Sequence, residues 1–340
     1  MENRTKKTVV VGTAEEWNEL QSDVAFVFVK SDSCNEASMT VLDVSGLTSL
    51  QELSVGSGCF RNVEEVLIEG LASLIKVVIG ENSFTEKNGA FTLRNCSSVQ
   101  ELRIGNYSFA YYSILVVEEV PLLTKVVIPS NSFMNVIELS LIEMNELRRV
   151  EIGEYSLTNK EGSFVLKNCS RVVALHTGNG SMSSFRSIEI AGVPALEEIE
   201  IDSNSFMNVN ELRLEGLSGL RSLVIGENSF TKKKNGWGED SDRHFYLKDC
   251  SSLKSLRVGR YSFSDYTVIE IENVDALETI EIGELNEASN NFYSASLELK
   301  SMIGAFWLWL DFPKLKTLLF GNEVMKNCDR VTFESEALSL

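Results

Sequence analysis

The segment that decides the fold reads Leu220-Arg221-Ser222-Leu223-Val224-Ile225-Gly226-Glu227-Asn228-Ser229-Phe230. It follows the pattern L-x-x-L-x-I-x-x-N-x-F, whose central alternation of apolar residues predicts a β-strand with one buried side. Close copies occupy Leu74–Phe84, Leu123–Phe133 and Leu196–Phe206. The last residues of the copies stand 24 or 25 residues apart along the chain, at Phe60, Phe84, Phe109, Phe133, Leu157, Met182, Phe206 and Phe230. An interval this short and regular indicates a solenoid, in which only stacking of the turns buries the apolar side chains.

Each repeat also carries a second short alternating segment, such as Leu212-Arg213-Leu214 followed by Leu217. Two strands in one repeat leave no room for a helix of ordinary length. We therefore predict a mostly β solenoid of about twelve 24–25-residue turns with two parallel β-sheets and little helix. Residues 1–38 are expected to form an N-terminal cap, 39–302 the solenoid, and 303–340 degenerate C-terminal repeats or a cap. Within the cap, Thr13-Ala14-Glu15-Glu16 predicts a capping box and a helix to about Leu20, followed by a strand over Val24–Val29.

Three recurring residue types inside the repeat carry structural expectations. Asn82, Asn131, Asn204 and Asn228 share a position where an inward asparagine can bond the turning backbone. A column of glycines just after the strand, including Gly80, predicts a bend with unusual backbone angles. Three cysteines replace leucine in the core column and lie too far apart for disulfides, so we expect buried free thiols: Cys96, Cys169 and Cys250.

Two irregular segments leave alternatives open. The loop Thr231–Arg243 is longer than its equivalents and carries three lysines, Trp237 and an acidic run, so it is either a contact loop or a solvated one. The segment Phe306–Pro313 is apolar on both strand faces, so it is either a packed terminal strand or an exposed contact patch that includes Trp307 and Trp309.

Charge restricts the partners that we expect. The chain carries 49 acidic and 31 basic residues, a formal net charge of −18, which disfavours nucleic acid and would attract a basic protein. The same acidity also serves solubility, and both interpretations stay open. No segment is apolar for long enough to span a bilayer, and the N-terminal residues do not resemble a signal peptide, which favours a cytoplasmic location. A surface or secreted location stays open, because a trimmed piece of a secreted or anchored protein would show the same features.

We found little in the sequence that would support catalysis. The two histidines, His176 and His244, have no Cys, His or carboxylate partner at metal-ligand spacing along the chain, and no nucleophile motif occurs. We expect His176 to be a surface residue. The sequence therefore predicts no enzyme activity, no cofactor and no metal site.

The repeat segment resembles that of the leucine-rich-repeat superfamily over nearly the whole chain. Within that superfamily, Cys250-Ser251-Ser252-Leu253-Lys254-Ser255-Leu256-Arg257-Val258 and the recurring Ile-Gly-x-x-Ser-Phe ending resemble the BspA-like class, which reads C-x-x-L-x-x-I-x-I and I-G-x-x-A-F. That class consists typically of surface or secreted adhesion and recognition proteins. The resemblance thus implies a binding role without naming a ligand.

The outward residues of the main strand are expected to form columns down one sheet, either as a recognition surface or as a solvated face. Our first hypothesis is a non-catalytic protein-binding solenoid that uses this face. A surface adhesin or antigen is the second hypothesis, and the third is a structural spacer that makes contacts near Trp307 and Trp309. The candidate partner-binding residues are Glu101, Arg103, Arg149, Glu151, His176, Glu198, Glu200, Arg257, Glu281 and Trp237.

Overall fold

The structure, a computed structural model, describes residues 6–232, 242–301, 314–326, 328 and 331–335. The chain is mostly β and 2% helical, and it forms a β-solenoid of about 11 turns. The predicted fold class is therefore confirmed, with about 11 turns in place of the twelve that we expected. Within the described ranges, no helix is both long enough and apolar enough to cross a bilayer. Trp237 and the segment Phe306–Pro313 lie outside the described residues.

One strand of each turn belongs to a front face, on which every pairing is parallel. Hydrogen bonding divides this face into a sheet of five strands and a sheet of eight. At the division, Pro129 occupies the position where Gly80, Gly105 and Gly153 donate an N–H to the preceding turn, and proline has no N–H to donate. The front strands are β1 (Lys7–Val11), β2 (Val24–Val29), β4 (Glu52–Val55), β6 (Lys76–Ile79), β8 (Glu101–Ile104), β10 (Lys125–Ile128), β12 (Arg149–Ile152), β14 (Ala174–Thr177), β16 (Glu198–Ile201), β18 (Ser222–Ile225), β20 (Ser255–Val258), β22 (Thr279–Ile282) and β24 (Thr317–Phe320).

The second strand of each turn belongs to a back face, which is also parallel throughout. Hydrogen bonding divides it into sheets of four, three and five strands. The back strands are β3 (Val41–Asp43), β5 (Glu65–Glu69), β7 (Ala90–Arg94), β9 (Ile114–Glu118), β11 (Glu138–Ile142), β13 (Ser163–Lys167), β15 (Ser187–Ala191), β17 (Glu211–Glu215), β19 (His244–Lys248), β21 (Val268–Glu272), β23 (Ser296–Ser301) and β25 (Val331–Ser335).

A short helix covers the N-terminal end of the core. Helix α1 (Ala14–Asn18) begins where the Thr13 hydroxyl accepts a 3.2 Å hydrogen bond from the Glu16 amide, as the capping box predicts. The helix ends at Asn18, slightly before the predicted Leu20, and its Trp17 packs edge-on against Phe60 at 5.5 Å between ring centroids. Strand β2 has the bounds that we predicted. The cap thus closes the apolar interior that the first turn would otherwise expose.

Phenylalanine rings stack along the interior. Successive rings at the end of each repeat lie nearly parallel, with centroids 5.1, 4.7 and 5.1 Å apart from Phe60 through Phe84 and Phe109 to Phe133. A second stack runs from Phe206 through Phe230 and Phe263 to Phe292. Leu157 and Met182 occupy this position between the stacks, also fully buried. The core is therefore continuous from turn to turn.

The polar ladder inside the turns consists mostly of serines, with Asn291 at the equivalent position of a late turn, so the ladder predicted from Asn82, Asn131, Asn204 and Asn228 is wrong. Asn82 is exposed and has φ 54°, a left-handed conformation that asparagine adopts more readily than most residues. The next residue, Ser83, is fully buried, and its hydroxyl accepts a 3.2 Å bond from the Cys59 amide and donates a 3.1 Å bond to the Gly56 carbonyl. Asparagine thus suits the backbone angle, and serine satisfies the buried turn.

The glycine column is explained mainly by close packing, and the predicted positive φ occurs in the column at Gly283, with φ 72°. Gly80 does not have a positive φ. A Cβ atom on Gly80 would lie 2.5 Å from the Ser57 nitrogen of the preceding turn, and Gly105 and Gly153 have the same contact one and three turns on. The backbones of adjacent turns therefore approach too closely at this corner for a side chain.

The core cysteines are free and buried, as predicted. Each thiol of the column donates to a back-strand carbonyl of the preceding turn: Cys96 to Ile68 at 3.7 Å, Cys169 to Leu141 at 3.4 Å, and Cys250 to Leu214 at 3.8 Å.

Candidate binding face

The outward residues of the front strands form two columns, as the repeat predicts. In the four-residue strands from β4 to β22 the second and fourth residues face the core, so the first and third face outward. Third residues align in register through Ser54, Val78 and Arg103, and again through Val127, Glu151, His176, Glu200, Val224, Arg257, Glu281 and Leu319. First residues align through Glu52, Lys76 and Glu101, and again through Lys125, Arg149, Ala174, Glu198, Ser222, Ser255 and Thr279.

Several candidate residues toward the two ends of the columns are neutralised by ion pairs. Arg103 contacts Glu101 on the same strand. Arg257 lies 2.9 Å from the Glu281 carboxylate on the adjacent strand. Such exposed pairs contribute little to stability, but they reduce the charge that this part of the face presents to a partner.

The middle of the face has an excess of carboxylates. Glu198 and Glu200 project from β16, with the Glu198 carboxylate 3.3 Å from Nε2 of His176 on β14. On the other side of β14, Glu151 is paired with Lys125 at 2.7 Å. Among the residues that the structure describes, Glu198 and Glu200 have no Lys or Arg within ion-pair distance. This part of the face thus has the strongest negative character.

Not all of the predicted site residues lie together. The structure brings Arg149, Glu151, His176, Glu198 and Glu200 onto three adjacent strands. Arg257 and Glu281 lie further along the same sheet, on β20 and β22. Glu101 and Arg103 belong to the five-stranded sheet beyond the division, and Trp237 lies outside the described residues. The five central residues, which we call the acidic centre, form the candidate site.

The sequence reasoning missed two features of this site. It omitted Lys125, the cation that pairs with Glu151, although Lys125 stands in the predicted column. It also searched for partners of His176 only at short spacing along the chain, whereas the carboxylates come from the next turn. The column alignment itself was the signal that could have found both, because residues one repeat apart become neighbours in a parallel solenoid.

On the back face, single cations are shared between two carboxylates. The Arg213 guanidinium lies 2.9 Å from Glu211 and over the Tyr246 ring at 4.1 Å, while the Lys248 ammonium lies 2.9 Å from Glu270. The hydrogen bond that Arg213 donates to the Glu211 carboxylate raises the pKa of the guanidinium, which keeps it charged and paired. The back face therefore also has more carboxylates than cations, and the cations Arg213 and Lys248 are both engaged in ion pairs.

Comparisons with known proteins do not place the chain in a family. No protein-family model matches it, and no curated protein matches it in sequence.

Proposed function

We propose that this chain is a non-catalytic protein-binding solenoid whose front face recognises a macromolecular partner. The alignment of variable side chains on a fixed parallel register carries this proposal. Rigid strands hold each side chain in place, so a partner meets a pre-organised surface and loses little entropy in ordering it. The differences from turn to turn then supply specificity.

A basic protein segment is the partner that fits the acidic centre best. Glu198 and Glu200 offer carboxylates without a Lys or Arg partner among the described residues. Long-range attraction to the whole chain, with its net charge of −18, would speed the encounter. Phosphate backbones would be repelled by the same charge, which disfavours nucleic acid.

Membership of the leucine-rich-repeat superfamily, with resemblance to the BspA-like class, is part of the same proposal. Its support is the recurring segment ending in Asn-Ser-Phe, best seen at Asn228–Phe230. An adhesin or surface antigen, the role typical of that class, would use the same face and differ in where its partner resides.

A charge-reversal pair tests the acidic centre. Native lysate is passed over the immobilised chain at low and at moderate salt, with a chelator present, and captured proteins are compared for the wild type and the variant Glu198→Lys/Glu200→Lys. The expected result is a basic protein that binds the wild type, weakens with salt and is lost in the variant. Calorimetry with the purified protein then gives the affinity.

The matched control is Glu65→Lys/Glu138→Lys, which changes the net charge equally on exposed positions of the back face. A partner that the control variant retains and the front-face variant loses supports recognition by the acidic centre. If both variants lose the partner equally, binding depends only on net charge. If both variants retain the partner, the acidic centre is not part of the contact.

A further inference from the structure

His176 occupies a particular position within the acidic centre. Its side chain is 30% exposed, yet its Nε2 atom is shielded from solvent and makes no hydrogen bond with any described residue. The nearest Glu198 oxygen is 3.3 Å from Nε2, within ion-pair range but not in hydrogen-bonding geometry. The other histidine, His244, differs, because its Nδ1 lies 3.0 Å from the Tyr246 hydroxyl on the back face. The Nε2 atom of His176 is thus shielded, lies beside carboxylates and makes no hydrogen bond, so its lone pair is available to bind a ligand.

The strand register explains why two carboxylates converge on this ring. Glu200 is directly in register with His176 on the neighbouring strand. Glu198 precedes it by two residues on β16 and therefore projects from the same face. Between Arg149 and Glu198 in the other column, Ala174 presents only a methyl group. The two glutamates thus reach the ring from one side without a bulky neighbour between them.

The distances suit a metal ion after a small movement. One nitrogen of His176 and one oxygen from each of Glu198 and Glu200 lie within 4.8 Å of one another. Ligand atoms about 2.1 Å from a tetrahedral zinc ion stand about 3.4 Å apart, so a pair at the 4.8 Å limit would close by about 1.4 Å. Rotation about the bonds of a partly exposed glutamate supplies a movement of this size without any change in the backbone.

We propose that His176, Glu198 and Glu200 form a surface site for a divalent transition-metal ion such as Zn²⁺. Imidazole nitrogen favours zinc, copper or nickel, whereas Mg²⁺ and Ca²⁺ prefer an all-oxygen set. One imidazole and two carboxylates neutralise the charge of the ion and leave positions for water. This site goes beyond the proposed partner binding and does not depend on it.

The surrounding charges also favour a cation. The strands around the ring present three carboxylates and two cations. The carboxylates are those of Glu151 on β12 and of Glu198 and Glu200 on β16, and the cations are Lys125 on β10 and Arg149 on β12. Lys125 is engaged with Glu151 at 2.7 Å, so it does not compete directly for the carboxylates of β16.

Titration calorimetry with Zn²⁺ alone, in a buffer that does not coordinate metal, tests the site. We expect wild type at about pH 7.5 to bind Zn²⁺ at this site. The single variants His176→Gln, Glu198→Gln and Glu200→Gln should each weaken binding by roughly tenfold or more. Far-UV circular dichroism of each variant checks that the solenoid is intact.

Two control variants keep the assignment specific. His244→Gln removes the other imidazole, and Cys328→Ser removes a partly exposed thiol that could bind Zn²⁺, and both should retain the wild-type affinity. Proton NMR adds a direct readout. The imidazole signal that is absent from the spectrum of His176→Gln is assigned to His176, and Zn²⁺ should shift this signal while leaving the His244 signal in place. Unchanged affinity in His176→Gln overturns the proposal. The proposal is also overturned if His176→Gln loses Zn²⁺ affinity while Glu198→Gln and Glu200→Gln keep it, because the ion would then be bound by the imidazole alone.

Discussion

The backbone amide of Ser83 donates a 3.1 Å hydrogen bond to the hydroxyl of Ser108, one turn further along the solenoid. That hydroxyl in turn donates a 2.7 Å bond to the carbonyl of Gly80 in the preceding turn. Both serines are fully buried, so water cannot replace either bond. The bonds join neighbouring turns and therefore stabilise the stack of turns rather than a single corner.

Replacing Ser108 should destabilise the solenoid. The substitution Ser108→Ala leaves the buried Ser83 amide without its acceptor, at a cost of about 1–3 kcal/mol. Urea unfolding followed by circular dichroism should show an earlier midpoint. The matched control is Ser187→Ala at an exposed back-face position, which should change stability by no more than about 0.5 kcal/mol. Equal midpoints for the two variants would contradict the serine ladder.

Close packing of the turns predicts that Gly80 tolerates no side chain. In Gly80→Ala the new Cβ would stand 2.5 Å from the Ser57 nitrogen and 2.6 Å from the Gly56 carbonyl carbon. Both neighbours are backbone atoms, so two turns must move apart, which we expect to cost about 1–3 kcal/mol. Gly46→Ala is the control, because no atom lies within 4 Å of the added carbon. Thermal unfolding of the two variants measures the difference, and a Gly80→Ala variant as stable as the control would refute the explanation.

Repeat spacing was enough to predict most of this fold. Strand β2 was predicted with its observed bounds, and the outward residues of the main strands align in columns as expected. The spacing could not separate Asn82 from Ser83, because both are polar and adjacent. What separates them is the positive φ of Asn82, which turns its side chain outward and leaves the serine inside.

The candidate site was only partly predictable for a related reason. Column positions follow from the repeat, so His176 and Glu200 could be placed as neighbours from sequence. Which charged side chains form ion pairs depends on their rotamers. In the structure Lys125 pairs with Glu151, and Glu198 lies beside the imidazole of His176. No periodicity contains that information.

Burial should protect the core cysteines from thiol reagents. Desolvation raises the pKa of Cys250 to about 12, and that of Cys34 also to about 12, so neither forms an appreciable fraction of the reactive thiolate near pH 8. Of the six cysteines, Cys328 is the one that is only partly buried. With a chromogenic disulfide reagent the native chain should therefore show a single fast thiol, which Cys328→Ser removes, and all six after unfolding. A second fast thiol in native Cys328→Ser would show that the core opens more readily than its packing indicates.

The coupling energy between Arg243 and Asp265 should be far larger than that between two residues of a surface ion pair. Arg243 Nη1 lies 2.7 Å from the Asp265 carboxylate, with the two side chains 0% and 2% exposed, and its Nη2 also donates to the Val209 carbonyl. Asp265→Ala would leave a buried guanidinium without its counter-ion, at a cost of about 3–5 kcal/mol.

A double-mutant cycle tests that coupling. Because Arg243→Met removes the charge while keeping much of the volume, Arg243→Met/Asp265→Ala should be less destabilised than the sum of the single variants, by about 1–3 kcal/mol. The exposed pair of Arg61 and Asp32, 2.9 Å apart, provides the control cycle with an expected coupling below about 1 kcal/mol. If urea unfolding gives the same coupling for both pairs, water must reach Arg243 despite its burial.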